Sequence, residues 1–193
     1  MKLVLATGNK GKIREFKEAF YHLNIECLSI SEVCDVPEPE ETGITFEDNA
    51  ILKATYYMKA CQMPCLADDS GLAVDALGGA PGVYSARYAG QHGDDHSNNE
   101  KLIRELQHVP FEERIAHYIC VLALAYPDGT VLTAEGTCSG LIQDTPMGDG
   151  GFGYDSHFYV PNFQQTMAQL DIHTKETISH RGHALRALIE QIK

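Results

Sequence analysis

The sequence predicts an α/β fold: a mixed sheet with a long β-hairpin and flanking helices. Three observations carry this. The apolar run KLVLA at residues 2–6 gives way within a few residues to helical spacing, which is a strand–loop–helix unit at the start of the chain. Residues 114–126 (RIAHYICVLALAY) are rich in β-branched and aromatic residues, and the turn signal Pro127-Asp128-Gly129 follows them. Strand-like and helix-like stretches then alternate irregularly, which fits a mixed sheet better than a regular parallel doubly wound one. The 193 residues suit one domain over 1–193, with room for two lobes.

Each element follows from local pattern. Residues 2–6 form a short buried strand ended by Thr7-Gly8-Asn9. Residues 10–23 place Ile13, Phe16, Ala19, Phe20 and Leu23 on one helical face. Residues 31–44 are acidic and hold Pro37 and Pro39, so a loop is expected. Thr45 can cap a helix over about 46–61, with Ala50, Ile51, Ala54 and Met58 inward. Residues 64–76 read as two short extended pieces around Asp68-Asp69-Ser70-Gly71, and 78–82 as a turn. A helix is expected over 98–107 and a strand over 114–126. Residues 130–139 should pair back on that strand as a hairpin. Residues 147–155 are glycine-rich, residues 154–160 read as extended, and 182–192 as a final helix capped by Ser179 or a neighbour.

Composition excludes several classes of partner. The formal charge of −12 repels phosphate backbones, so polymeric nucleic acid is not an expected ligand. A small anion held by a few local cations remains compatible, and Lys10, Lys12 and Arg14 form such a group, as do Lys175 and Arg181. No apolar run approaches the roughly 18 residues of a membrane span. The N-terminus lacks an apolar h-region and a small-residue cleavage site, so Met1 is expected to begin the mature protein. The six cysteines, at 27, 34, 61, 65, 120 and 138, form no C-x-x-C pair and read as reduced thiols of a cytoplasmic protein.

Five constellations could carry chemistry. Thr7-Gly8-Asn9-Lys10-Gly11-Lys12, between strand and helix, can present N–H groups and two lysines to a phosphate; it can equally be a strand-to-helix turn capped by Asn9. It is not a Walker A loop, because G-x-x-x-x-G-K-[ST] is absent. Asp68-Asp69-Ser70 at a strand end suits Mg²⁺, or supplies a base for a water, or forms a solvated Asx turn. Glu38, Glu40 and Glu41 form an acidic loop that could add a metal ligand. The run from Gly148 to Asp155 matches G-x-G-x-x-G by accident, since no helix follows it; its glycines would let backbone approach a flat ligand, with Phe152 and Tyr154 as stacking faces. Ser179-His180-Arg181-Gly182, with Lys175 upstream, puts three donors at a helix N-terminus, or is a cap with exposed basic residues. His92 and His96 read as a surface loop rather than a metal pair.

Taken in order, these segments resemble one family. T-G-N-x-x-K, E-E-T-G-x-T-F-x-x-N-A, A-D-D-S-G-L-x-V-x-x-L-x-G-x-P-G-x-Y-S-A-R, G-G-F-G-Y-D and S-H-R-G-x-A-L occur between Leu3 and about Leu188. The chain is thereby similar to the inosine/xanthosine triphosphate pyrophosphatases, with weakest coverage at 89–147. The resemblance implies two lobes around a central nucleotide cleft. It implies Mg²⁺-dependent conversion of ITP, dITP or XTP to monophosphate and pyrophosphate, by a cytoplasmic homodimer. Residue by residue, it implies that Thr7, Gly8, Asn9, Lys10, Gly11 and Lys12 hold the triphosphate. Asp69 would be the general base and a metal ligand, and Glu40 the second metal-linked acid, with Glu38, Glu41 and Asp68 as rivals. Ser70 would touch substrate; Phe152, Gly153, Tyr154 and Asp155 would wall the nucleoside; Lys175, His180 and Arg181 would read the base. Ser156 stands where the family often has proline, which removes no functional group. Two other readings are a pyrophosphatase for modified pyrimidine nucleotides, which Ser179-His180-Arg181 opposes, and a non-enzymatic nucleotide sensor, which the intact Asp68-Asp69 pair opposes.

Overall fold

The computed structural model describes residues 1–21 and 23–192. His22, inside the helix expected at 10–23, lies outside the described residues. In chain order the elements are β1 (Lys2–Leu5), α1 (Lys10–Tyr21), β2 (Glu26–Ser29), α2 (Ile30–Val33), α3 (Phe46–Cys61), β3 (Cys65–Val74), α4 (Asp95–Leu106), β4 (Ile115–Ala125), β5 (Val131–Ile142), β6 (Phe158–Val160), β7 (Gln165–Thr166), α5 (Ile172–Ile178) and α6 (His180–Ile192). The strands form one mixed sheet in the order β2-β1-β3-β4-β5-β6-β7. β1 runs parallel to β2 and β3, whereas β6 is antiparallel to β5 and β7.

The chain divides into two compact units. The first holds Met1–Asp69, Cys120–Gly136 and Ala184–Lys193; the second holds Ser70–Ile119 and Thr137–His183.

In the first unit, strand alternation sorts the core into two layers. Leu3, Leu5, Leu66, Cys120, Leu122 and Leu124 pack with Phe16 and Phe20 of α1 and with Ala184, Leu185 and Leu188 of α6. The intervening Val4, Ala6, Cys65, Ala67, Val121, Ala123 and Ala125 pack with Ala50, Ala54, Tyr57 and Met58 of α3. Because both faces are covered, these strands read as unbroken apolar runs rather than as alternation. Thr45 caps α3 by accepting from the Asp48 amide at 3.0 Å, as its position predicts. The hairpin closes through Tyr126 N–H to the Thr130 carbonyl at 2.8 Å.

In the second unit, Leu102 and Leu106 of α4 pack with Leu72, Val74, Ala116, Tyr118, Ile142, Phe158 and Val160. Asp94 caps α4, so the helix begins three residues before the expected Asn98.

Other boundaries also differ from expectation. Residues 31–33 belong to the helical turn α2 rather than to the acidic loop. β3 is one continuous strand of ten residues, not two pieces. Residues 154–157 turn, and only Phe158–Val160 is extended. β2 and α5 have no counterpart in the sequence reading. His92 lies in a turn, but His96 is in the first turn of α4, exposed beside Glu100. Among the described residues no helix is long and apolar enough to cross a membrane.

Candidate active site

In the first unit the chemistry starts from β3. Consecutive side chains of a strand point to opposite faces, so Asp68 follows Leu66 toward α1 and Asp69 follows Ala67 toward α3. Both carboxylates are buried, at 2% and 8% exposure, so they form no solvated turn. Burying a carboxylate is costly unless it is paired, and each one is met by a helix lysine. Lys12 of α1 reaches Asp68 Oδ2 at 2.7 Å. Lys53 of α3 lies 3.4 Å from Asp69 Oδ1 and 2.8 Å from Glu41 Oε1. One turn earlier on α3, Asn49 donates through Nδ2 to Asp69 Oδ2 at 3.1 Å, and its own oxygen accepts from the Gly43 amide at 2.8 Å. Asn49 thus ties the acidic loop to the strand carboxylate.

The electrostatics follow from this crowding. Burial raises the Asp69 carboxyl above its ordinary value; Lys53 opposes the rise, Glu41 and Asp68 add to it, and the Asn49 hydrogen bond opposes it. Burial alone would lower the Lys53 ammonium. The combined field of Asp69, Asp68 and Glu41, with the Glu41 hydrogen bond, outweighs it, and the ammonium is held above the ordinary lysine value. The carboxylates of Asp68, Asp69 and Glu41 thus lie around Lys12 and Lys53 and present hard oxygen donors, the kind that suit a hard cation. Among the described residues no group of three or more His, Cys, Asp or Glu side chains is gathered closely enough to hold a metal by itself. Glu38 and Glu40 are exposed, and the acidic side chain brought to the Asp69–Lys53 pair is Glu41.

The loop before α1 has the geometry of a cap. Asn9 Oδ1 accepts from the Gly11 and Lys12 amides at 2.9 and 3.1 Å, and the Asn9 amide donates to Thr7 Oγ1 at 3.2 Å. Gly8, Lys10 and Gly11 stay exposed, so the start of a twelve-residue helix faces outward with Lys10 beside it.

In the second unit the other expected residues gather around Asp155, which is 5% exposed. Lys175 of α5 pairs with Asp155 Oδ2 at 2.7 Å, and the Phe152 amide donates to the same oxygen at 3.2 Å. Gly151, at φ +78°, is required here, because a Cβ on it would strike Asp155 Oδ2 and Lys175 Nζ. The glycines at 148 and 150 likewise leave room for the Ala168 backbone. The glycine run therefore accommodates the protein's own atoms, at positions where the sequence suggested the approach of a ligand. Phe152 exposes 40% of its surface, with Lys175 Nζ 5.5 Å and Arg181 Cζ 5.9 Å from its ring centroid. Tyr154 offers no such face: it is 4% exposed in the core, and its hydroxyl donates to the Ser85 carbonyl at 2.7 Å. Gly153 is held by α4, its amide donating to Asp95 Oδ2 at 2.7 Å and its carbonyl accepting from Asn99 at 2.9 Å.

Ser179 caps α6, accepting from the Gly182 amide at 3.1 Å. Gly182 is required by the close passage of the Glu176 carbonyl, which a Cβ would strike. This packing seats His180 and Arg181 at the start of α6, buried rather than exposed. Arg181 Nη2 donates to Ser70 Oγ at 3.3 Å. The His180 ring stacks on Tyr118, with centroids 4.7 Å apart and planes 14° apart.

Asn49, Lys53 and Tyr118 were not singled out from the sequence. Asn49, Lys53 and Tyr57 recur every four residues beside the apolar stripe of α3, a polar row flanking a buried face, and that was the available signal.

Comparisons with known proteins agree in direction. A model described as the Ham1 family matches residues 3–191. A dITP/XTP pyrophosphatase of Desulforamulus reducens is 52% identical over 190 residues, covering 98% of this chain and 94% of that protein. One from Thermus thermophilus is 50% identical over 193 residues, covering 100% and 92%. A solved HAM1 protein from Coxiella burnetii superposes with TM-score 0.91 at 42% identity over 100% of this chain and 98% of that one. The Staphylococcus aureus Ham1 protein gives 0.89 at 45%, over 100% of both.

Proposed function

The chain belongs to the Ham1 family, and from that membership and the two residue groups above we propose that it hydrolyses non-canonical purine nucleoside triphosphates, ITP, dITP and XTP, to monophosphate and pyrophosphate. The observation that carries the mechanism is the buried Asp69, held between Lys53 and Asn49 with Glu41 across the lysine.

Water attacks the α-phosphorus and pyrophosphate leaves. Asp69, its basicity raised by burial, takes the proton from that water. Lys12, fixed by Asp68, and Lys10 at the exposed start of α1 meet the charge that grows on the phosphate oxygens. Thr7, Gly8, Asn9 and Gly11 shape that loop. The hard carboxylate oxygens of Asp69 and Glu41 fit Mg²⁺, which would supply Lewis-acid stabilisation of the phosphoryl oxygens when bound. Asp69 would hold it with an acid of the loop; proximity favours Glu41, and Glu40 is the neighbouring alternative that the family resemblance names.

The second unit reads the base. Phe152 offers its exposed ring for stacking. Lys175, His180 and Arg181 are donors, and Ser70 and Asp155 hold two of them in place. Hypoxanthine and xanthine present O6 as an acceptor, whereas adenine presents N6–H₂ and leaves buried donors unpaired. A mismatch of that kind can discriminate by about 10⁴-fold. The same reading extends to a cytoplasmic homodimer acting on free nucleotides. Its support is the charge of −12 against polymeric nucleic acid, and the family resemblance for compartment and dimer.

Base reading is tested by kcat/KM for ITP and ATP in wild type and His180→Ala. Wild type is expected to prefer ITP strongly. A lost hydrogen bond costs about 0.5–3 kcal/mol depending on charge, so the variant should narrow the ITP:ATP ratio by about 2- to 150-fold. Equal losses on both substrates would place His180 at the phosphates or in folding.

A further inference from the structure

Tyr118 lies in the middle of β4, inside the apolar run that forms the hairpin, and it is 6% exposed. It touches two of the base-reading groups at once. Its hydroxyl donates to Asp155 Oδ1 at 3.0 Å, and its ring lies flat against His180, 4.7 Å centroid to centroid. Phe158 also packs against it, with ring centroids 4.5 Å apart and planes 33° apart.

We propose that Tyr118 is a positioning residue for base selection, holding the Asp155 carboxylate by its hydroxyl and the His180 imidazole by its ring. This inference rests on the reading that His180 and Lys175 select the base.

The hydrogen-bond inventory of Asp155 explains why the hydroxyl matters. Oδ2 is taken by Lys175 and by the Phe152 amide, both at the stacking residue. Oδ1 is taken by Tyr118. A carboxylate with a donor on each oxygen cannot rotate without breaking one of them, so Lys175 and Phe152 inherit a fixed position from Tyr118. The phenol is suited to the part. Burial, then the neighbouring Asp155 charge, push it well above the ordinary tyrosine range, so it stays protonated and can only donate to the carboxylate. On the other side, a ring stacked at 14° fixes the plane of the imidazole and hence the direction in which its N–H points. Phenylalanine at this position would keep the stack and leave Oδ1 without its phenol donor. The hydroxyl is therefore separable from the packing.

The test is Tyr118→Phe, assayed with ITP and ATP under the conditions used for wild type, with thermal unfolding measured on both proteins. The expected result is a KM for ITP raised by about 3- to 10-fold, as for one lost hydrogen bond, with kcat for ITP within about twofold. The Asp69 cluster that performs the chemistry is untouched by this substitution. The ITP:ATP ratio of kcat/KM should narrow by the same factor, and Tm should stay within a few degrees. An unchanged KM and ratio would overturn the proposal. So would a fall in Tm with equal losses on both nucleotides, since Tyr118 would then be core packing alone. If wild type itself failed to prefer ITP over ATP, the base-reading assignment would fall, and Tyr118 with it.

Discussion

Asp69→Asn is expected to lower turnover of ITP by at least about 100-fold while leaving the fold intact, as is typical when a general base is removed. Asparagine keeps the shape, and its single oxygen can accept from the Lys53 ammonium or the Asn49 amide but not both; it can neither take a proton nor contribute charge to a cation. The pH profile provides the control. Burial raises the folded-state carboxyl of Asp69 above its ordinary value near 3.8. The base is active only when ionised, so the wild-type rate falls as pH drops through the value that burial, which raises it, and a bound cation, which lowers it, set between them. The same shift means that the native state favours the protonated form. Its contribution to stability is present below the unfolded pKa and is lost as pH rises through the folded one. Ionised Asp69 is therefore a cost to folding at neutral pH, and a neutral amide should not unfold the protein. Near-normal turnover in the variant would remove Asp69 from the mechanism.

Chelation is expected to abolish activity, and added Mg²⁺ to restore it. Asp69 and Glu41 both approach Lys53 and offer hard carboxylate oxygens there. A triphosphate arriving beside them adds negative charge, which a bound hard cation offsets more fully than Lys10 and Lys12 alone. Lewis-acid stabilisation supplies several kcal/mol, so the loss should exceed about 100-fold. Initial rates of pyrophosphate release before EDTA, after it, and after readdition of Mg²⁺ measure the effect. Full activity in rigorously chelated protein would contradict the reading of the carboxylate cluster.

The sequence foretold the elements whose signals are local. Leu3 to Leu5, the Phe16–Phe20 face of α1, Thr45 before α3 and the hairpin about Asp128-Gly129 all announce themselves through period, cap or turn chemistry. It missed β2 and α5, whose segments ECLS and IHTKETI are short and carry no clear periodicity. It broke β3 in two because an Asp-Asp pair seldom lies inside a strand. The strand runs through because Lys12 and Lys53 arrive from two helices, a compensation set by tertiary contacts far along the chain. The same limit explains the site. Motif order pointed to Asp69, Asp155, Lys175, His180 and Arg181, and in the acidic loop to Glu40 with Glu38 and Glu41 as rivals. What the motifs cannot show is which loop acid meets Lys53, and the structure places Glu41 there. Tyr154, expected as a stacking face, is buried for a similar reason: an aromatic residue beside a glycine run looks exposed until the core that covers it is known.

The most direct test of the central claim is identification of the products formed from ITP with Mg²⁺ present. Attack at the α-phosphorus predicts inosine monophosphate and pyrophosphate in equal amounts, with far slower release from ATP at the same concentration. Inosine diphosphate with orthophosphate would mean attack at the γ-phosphorus and would contradict the account, as would equal rates of pyrophosphate release from ITP and ATP.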